Sequence, residues 1–111
     1  RWADLHRTTM IGTEIWGVDL REANLGYANL QHTNLSGAIL IAADLSHANL
    51  SRANLFRAEL SQAHLYQTNL EGASLVDAHL VGAYLFDANL EQATLAGADC
   101  SWANLGKATL A

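Results

Sequence analysis

A strict period of five residues constrains this chain more than any other feature of its sequence. Every fifth residue from Leu5 to Leu110 is apolar, and 19 of these 22 central positions are leucine. Two residues before the central position, 17 of 22 units have alanine. The residue between the two is Asn or Asp in 12 of 22 units, as in Ala23-Asn24-Leu25. The repeat covers the whole chain of 111 residues, a length that suits one domain.

Neither an α-helix nor a continuous strand can accommodate this period. Five helical residues turn through about 500°, or about 140° net, so the leucines would leave no apolar stripe. Strand side chains alternate with a period of two, so the leucines would change faces. A short extended segment followed by a corner does fit, because the alanine and the leucine then point inward and the residue between them points outward. The last two residues of each unit form the corner.

The pattern resembles the A(D/N)LXX motif of the pentapeptide-repeat family, in register over all 22 units. The resemblance implies an all-β fold, a right-handed quadrilateral β-helix with four units per coil and about five and a half coils. Residues 20 apart would then stack at about 4.8 Å. We predict a single domain over residues 1–111 and a degenerate first coil over 1–20. Larger residues replace alanine in that coil, and we expect them to distort it.

Glycine occupies the last position of six units, which is the third residue of a turn that starts at the central leucine. A type II turn requires a positive φ at its third residue, and glycine adopts it without steric cost. The sequence therefore predicts type II turns at the corners that contain Gly12, Gly17, Gly37, Gly72, Gly82 and Gly97.

Both ends of the chain lie within a repeat, and the chain has neither an initiator Met nor a polar cap. Open β-edges pair with other chains, and solenoid domains need capping ends. Our hypothesis is that the domain comes from a longer protein whose flanks cap it; the alternative is end-to-end self-stacking. Ile11 and Trp16, apolar residues of the first coil, are expected to pack against such a flank.

Sequence alone does not choose a compartment for the protein. The single cysteine leaves the redox compartment open. No segment is apolar enough to span a bilayer, so we predict no direct membrane insertion of this domain. The sequence is compatible with a cytoplasmic, periplasmic or lumenal location and with a place in a membrane-anchored protein.

The net charge of −5 is unevenly distributed. Residues 1–57 contain five acids and five bases, whereas residues 58–106 contain six acids and no base. This distribution disfavours a nucleic-acid partner and allows a basic partner for the C-terminal half. The simpler interpretation is that the acids keep the protein soluble. Stacking predicts ion pairs between Arg57 and Asp77 and between Asp87 and Lys107, each contributing under about 1 kcal/mol.

No enzyme and no cofactor are predicted from these residues. Cys100, the only thiol, replaces a central leucine and is expected to be buried and inert. The serines point outward without the paired histidine and carboxylate that activate a nucleophile. A filled interior also leaves no cleft.

One stacked column, Glu59, His79 and Asp99, looks like a set of metal ligands. The Cα atoms of its outer residues would be about 9.6 Å apart, whereas every zinc ligand atom lies about 2 Å from the ion. We therefore predict a histidine between two carboxylates and no metal site.

Four aromatic residues form the candidate interaction patch: His64, Tyr66, Tyr84 and Phe86. They flank two central leucines and point outward from one side of adjacent coils. Tyr66 is expected to stack on Phe86 at a spacing that suits offset rings. The alternative is that these are cross-strand pairs that only stabilise the sheet.

The leading prediction is a non-enzymatic scaffold or protein–protein interaction domain with an unknown protein partner. The regular repeats look like those of cyanobacterial family members, which often form one domain of a larger protein. The alternative that the resemblance offers is a DNA-mimicking protein that binds a topoisomerase such as gyrase. Mimicry requires acids aligned along one face, and the six C-terminal acids are predicted to spread over four sides.

Overall fold

The computed structural model describes residues 3–110 as a stack of four-sided coils. Parallel bridges join each bridging residue to the residue 20 positions later, from Asp4–Asn24 to Asn89–Thr109. A bridge recurs every five residues with a turn between bridges, so each coil has four sides and four corners. Over residues 3–110 every bridge is isolated, and there is no continuous strand and no helix that could cross a membrane. The stack measures 29 × 22 × 22 Å.

Coils and sides are numbered along the chain. Coil 1 covers residues 3–22, coil 2 covers 23–42, coil 3 covers 43–62, coil 4 covers 63–82 and coil 5 covers 83–102, and residues 103–110 begin a sixth. Side 1 contains the central residues from Leu5 to Leu105, spaced 20 apart. Sides 2, 3 and 4 begin at Met10, Ile15 and Leu20 in the same way. The two residues after each central residue are its first and second corner residues.

The core consists of the inward-pointing leucines and alanines. From Ala23 to Leu90 the central leucines and the alanines two residues earlier are buried. A small residue beside each large one lets the four sides fill the interior at the density of close packing. At the end of the stack near residue 110, the described residues cover the core from below but not from above. Leu110 is therefore 59% exposed.

Cys100 points into the core but is half-buried, so the prediction of a buried thiol is wrong. It lies in coil 5, and among the described residues no coil stacks above that part of side 4. Its partial burial, together with the neighbouring charge of Asp99, raises the pKa of the Cys100 thiol. The thiol therefore stays protonated, and weakly nucleophilic, to a higher pH than a free cysteine.

The backbone hydrogen bonds explain the residue at the middle of the motif. In the unit around Leu45, the N–H groups of Leu45, His47, Ala48 and Asn49 all donate to backbone carbonyls. The remaining N–H, that of Ser46, donates to the side-chain oxygen of Asp44 at 2.9 Å. The same bond, between 2.9 and 3.3 Å, forms in all 12 units that have Asn or Asp at the middle position. This side chain therefore supplies the one acceptor that the backbone lacks.

Every corner is a turn with a left-handed second corner residue. At all 21 corners from Leu5 to Leu105, the carbonyl of the central residue accepts a hydrogen bond from the N–H three residues later. The second corner residue has a φ between +54° and +73°, as a type II turn requires. The predicted turns at six glycine corners are confirmed, and 15 other residues adopt the same φ. None of the 15 is β-branched, the class for which this φ is most strained.

Coil 1 keeps the register of the stack although larger residues replace alanine. Its bridges to coil 2 are complete, from Asp4–Asn24 to Asp19–Ile39. The hydroxyls of Thr8 and Thr13 donate to the carbonyls of Leu5 and Met10 at 2.7 and 2.8 Å. The turn hydrogen bonds from Thr13 and Val18 lengthen to 3.3 Å, compared with 3.0 Å at most later corners. Ile11 and Trp16 are exposed.

Candidate aromatic interaction surface

The four residues of the predicted patch lie together on side 1 of coils 4 and 5. The rings of Tyr66 and Phe86 are parallel within 1° with centroids 5.7 Å apart, so the predicted stack is confirmed. His64 meets Tyr84 edge-on with centroids 5.0 Å apart. Three of the four are exposed and Phe86 is partly so. These side chains therefore present their rings to solvent while they contact one another.

The stack continues through three more rings that the sequence analysis did not find. His6 contacts Tyr27 edge-on at 6.0 Å, Tyr27 stacks on His47 at 4.6 Å, and His47 contacts Tyr66 edge-on at 5.5 Å. We call the row His6, Tyr27, His47, Tyr66 and Phe86 the aromatic ladder. It runs along the corner between sides 1 and 2 and contributes one ring from each of coils 1 to 5.

The ladder stays continuous because each coil places a ring at one or other of its two corner residues between sides 1 and 2. In coils 2 and 3 the first corner residues are the small Gly26 and Ser46, and the ring comes from the second corner residue. In coils 1, 4 and 5 the first corner residue carries the ring. Corner residues 20 apart are always both first corner residues or both second corner residues, so that spacing does not reveal contacts between the two kinds. Taking the two corner residues of each coil together would have revealed them.

One glycine, Gly106, gives the ladder room against the backbone, whereas a Cβ atom at Gly26 would meet His6 only at an ordinary contact distance. A Cβ atom at Gly106 would lie 3.0 Å from Cδ1 of Phe86, and one at Gly26 would lie 3.5 Å from Cδ2 of His6. The Phe86 ring therefore lies against the Gly106 backbone, in space that a larger residue would occupy.

Basic side chains lie over two rings of the ladder and over one ring elsewhere on the chain. The guanidinium carbon of Arg7 is 4.7 Å from the centroid of Tyr27, and Nζ of Lys107 is 5.8 Å from that of Phe86. On side 3, Arg57 lies 5.0 Å from the centroid of Phe56. A positive charge over the face of an aromatic ring is attracted by the ring quadrupole. The ladder thus attracts cations as well as apolar groups.

Both predicted ion pairs of the corner columns are wrong. Among residues 3–110 the ion pairs are Asp19–Arg21 at 2.7 Å and Glu59–His79 at 2.9 Å. Arg57 contacts the ring of Phe56 instead of Asp77, and Asp87 accepts a hydrogen bond from Nε2 of Gln67 at 2.8 Å instead of pairing with Lys107. At Arg57 the neighbouring ring of Phe56 takes the place of Asp77, and at Asp87 the amide of Gln67 in the coil below takes the place of Lys107 in the coil above.

The strongest of the ion pairs joins two exposed residues of coil 1. Arg21 donates hydrogen bonds to both carboxylate oxygens of Asp19, from Nε at 2.9 Å and from a terminal nitrogen at 2.7 Å. These bonds, with one from the Arg21 backbone, lower the pKa of Asp19 to about 2.

The predicted column of Glu59, His79 and Asp99 does not converge on one point. Nδ1 of His79 is 2.9 Å from Oε1 of Glu59. Asp99 instead accepts hydrogen bonds from the hydroxyl and the N–H of Ser101 at 2.6 and 3.0 Å, and these lower the pKa of Asp99. Within residues 3–110 no three His, Cys, Asp or Glu side chains come together as metal ligands. An open groove beside this column is lined by Arg57, Glu59, Asp77, His79 and Gly97.

Comparison with known proteins identifies the repeat. The family model described as pentapeptide repeats matches residues 19–55, 53–92 and 73–110, with eight copies. None of the curated proteins compared with the chain is significantly similar to it.

Several solved protein structures have a fold similar to that of this chain. A pentapeptide repeat protein from the thylakoid lumen of Arabidopsis thaliana is 24% identical over 85% of this chain and 66% of its own, with a TM-score of 0.82. HetL, involved in heterocyst differentiation regulation in the cyanobacterium Nostoc sp. strain PCC 7120, is 31% identical over 97% of this chain and 62% of its own, with a TM-score of 0.68. A trypsin-treated form of QnrB1, a plasmid-mediated fluoroquinolone resistance protein, is 18% identical over 95% of this chain and 61% of its own, with a TM-score of 0.54.

The family match and the structural likeness agree with the repeat geometry. This chain spans less than two thirds of the length of the first two solved proteins, 66% and 62%. The family model covers residues 19 to 110, well over half of the chain. The chain belongs to the pentapeptide-repeat family.

Proposed function

We propose that this chain is a non-enzymatic scaffold that binds a protein partner through side 1 and its corner with side 2. The observation that supports the proposal is the continuous aromatic ladder, with the His64–Tyr84 pair beside it. Although their rings contact one another, Tyr27 and Tyr84 are each 50% exposed and Tyr66 is 40% exposed. Exposed aromatic side chains that lie together are typical of recognition surfaces.

The proposal includes a rigid coil that winds right-handed, the quadrilateral β-helix that the family resemblance implies. A backbone whose coils are bonded to each other at every side holds the surface residues in fixed positions. Binding to such a preorganised surface requires little ordering of the scaffold.

The absence of catalysis is part of the proposal. The groove beside Glu59 and His79 is open to solvent, so its carboxylates and imidazole would meet a substrate without the desolvation and fixed positioning that catalysis requires. The interior is occupied by leucine and alanine side chains, so substrate chemistry would have to occur on an open surface that water reaches freely.

The experiment is a pull-down from a lysate of the source organism with matched aromatic variants. The test variant is Tyr66→Ser, Tyr84→Ser, Phe86→Ser. The control is Trp16→Ser, Phe56→Ser, Trp102→Ser, which removes three exposed aromatic rings outside the patch. A protein that the unmodified chain and the control retain, and that the test variant loses, is the expected result, with circular dichroism showing all three folded. If test and control retain the same proteins, the aromatic surface is not a recognition site.

The gyrase-binding alternative receives no support from the charge geometry. Asp87 lies at the corner between sides 1 and 2, Glu71 and Glu91 at the next corner, Asp77 at the following one, and Glu59 and Asp99 on side 4. Within residues 3–110 these six acids form no row along one side as phosphates do along DNA, and the likeness to QnrB1 at 18% identity concerns the fold alone. We expect no inhibition of DNA supercoiling by gyrase at micromolar concentrations of the chain; clear inhibition would revive this alternative.

A further inference from the structure

In coils 4 and 5 the aromatic rings of side 1 and of its corner with side 2 lie next to negative charge on side 2. Asp87 directly follows Phe86 of the ladder at the near edge of this side, and Glu71 and Glu91 lie one coil apart at its far edge. Both glutamates and Asp87 are exposed. Among residues 3–110, none of the three lies within ion-pair distance of a basic side chain.

The bases nearest these acids are Lys107, one coil above Asp87, and Arg52, whose side chain lies against Gly72 beside Glu71; among residues 3–110 neither forms an ion pair with them. Residues 58–106 contain no lysine or arginine.

The hydrogen bonds in this part of the surface do not neutralise the acids. The side-chain amide of Gln67 donates to the carboxylate of Asp87. The backbone N–H groups of Glu71 and Glu91 donate to the side-chain oxygens of Asn69 and Asn89. The carboxylate charges therefore face solvent, where they attract an oppositely charged partner.

The rings of this surface already accept cations from the chain itself. Arg7 covers Tyr27, the second ring of the ladder, and Lys107 approaches Phe86, its last ring. Between these two rings, Tyr66 and Tyr84 are exposed and no cation of the described residues lies over them. The middle of the surface thus offers the same ring chemistry without a resident positive charge.

We propose that this surface binds an arginine-containing basic segment of a protein partner, with the exposed rings of Tyr66 and Tyr84 as the anchor and with Asp87, Glu71 and Glu91 as its counter-charges. The inference rests on the proposed function and names the class of partner. Arginine fits better than lysine, because its planar guanidinium stacks on aromatic rings and makes paired hydrogen bonds to a carboxylate. An acidic segment or a nucleic acid would meet like charge here.

The test measures binding of a fluorescein-labelled peptide of alternating arginine and serine by fluorescence anisotropy. The test variant is Asp87→Asn, Glu71→Gln, Glu91→Gln, and the matched control is Asp77→Asn, Glu59→Gln, Asp99→Asn. Both remove three negative charges, the test variant from the two edges of side 2 in coils 4 and 5 and the control from side 4 and its corner with side 3 in coils 3 to 5. We expect the test variant to bind about 10-fold more weakly than the unmodified chain and the control to change affinity by less than about 2-fold.

A second comparison separates the rings from the charges. The variant Tyr66→Ser, Tyr84→Ser should also weaken peptide binding by about 10-fold, while the peptide with lysine in place of arginine should bind the unmodified chain several-fold more weakly. Equal losses in the two charge variants would mean a general electrostatic attraction and would overturn the proposal. So would the absence of saturable binding by the arginine peptide.

The outcome is distinguishable from failure of the proposed function. If the arginine peptide does not bind but the pull-down retains a protein through the rings, the surface is a recognition site for a partner of different chemistry, and only the basic-segment inference falls. If peptide binding depends on Asp87, Glu71 and Glu91 but no protein is retained through the rings, the scaffold role of the aromatic surface falls instead.

Discussion

At the scale of single residues, the middle position of the repeat shows how a side chain completes a backbone pattern. Four of the five N–H groups in a unit find carbonyl acceptors in the same turn or in a neighbouring coil. The N–H of the first corner residue has none, and Asn or Asp provides the missing oxygen wherever it is present. The preference for Asn or Asp therefore has a local cause that does not depend on any partner.

Replacing Asn49 by alanine should lower the free energy of unfolding by about 1 kcal/mol, because the N–H of Ser51 loses the acceptor that it bonds at 3.0 Å. Urea unfolding followed by circular dichroism measures the change. Asn49→Asp retains the acceptor oxygen and should cost clearly less. An equal loss in the two variants would mean that this hydrogen bond does not stabilise the coil.

At the scale of elements, the aromatic ladder links coils that the backbone already joins. Each coil contributes one ring, and His47 in coil 3 contacts rings on both sides, Tyr27 and Tyr66. Aromatic pairs of this kind stabilise by about 0.5–1.5 kcal/mol each beyond the area that they bury. The ladder is therefore a structural element as well as a candidate binding surface.

His47→Ala removes both contacts of the central ring and should lower the free energy of unfolding by about 1–2 kcal/mol. Gln62→Ala is the matched control, since Gln62 is a second corner residue of the same coil with a similar positive φ, +59° compared with +63°. Chemical denaturation of both variants measures the difference. If His47→Ala costs no more than the control, the ring contacts contribute nothing to stability.

The ladder also shows what could be predicted from sequence and what could not. The stack of Tyr66 on Phe86 follows from their separation of 20 residues, because the backbone bridges fix that spacing. His6, Tyr27 and His47 join through contacts between different columns, which depend on how far each side chain leans around a corner. The ion pair expected between Arg57 and Asp77 failed for the same reason, since Arg57 leans toward Phe56.

At the scale of the whole molecule, burial varies along the stack while the chemistry of the core stays constant. Leucines of the middle coils are fully enclosed by coils above and below, whereas Leu105 is 37% exposed. In a solenoid each repeat contacts only its neighbours, so stability is roughly a sum of repeats and their interfaces. The same substitution should therefore cost different amounts at different heights in the stack.

Leu60→Ala should lower the free energy of unfolding by about 3 kcal/mol, because Leu60 is fully buried and its removal leaves a cavity. Leu105→Ala should cost about 1 kcal/mol, since much of that side chain already contacts water. Urea denaturation of the two variants of this chain measures the ratio. Similar losses at the two positions would mean that the exposed end of the stack is as well packed as its middle.

The bridges between residues 20 apart determine which changes of length this architecture tolerates. Duplication of 20 residues adds one complete coil and leaves every later residue on its original side. Duplication of a single five-residue unit would also preserve the core, but it would turn all later residues by one quarter of the coil. With the added unit between His47 and Tyr66, Tyr66 and Phe86 would lie on a different corner from His6, Tyr27 and His47, and the row of rings would be cut in two. A surface of this kind can therefore lengthen only in whole coils, although the fold beneath it can grow by single units.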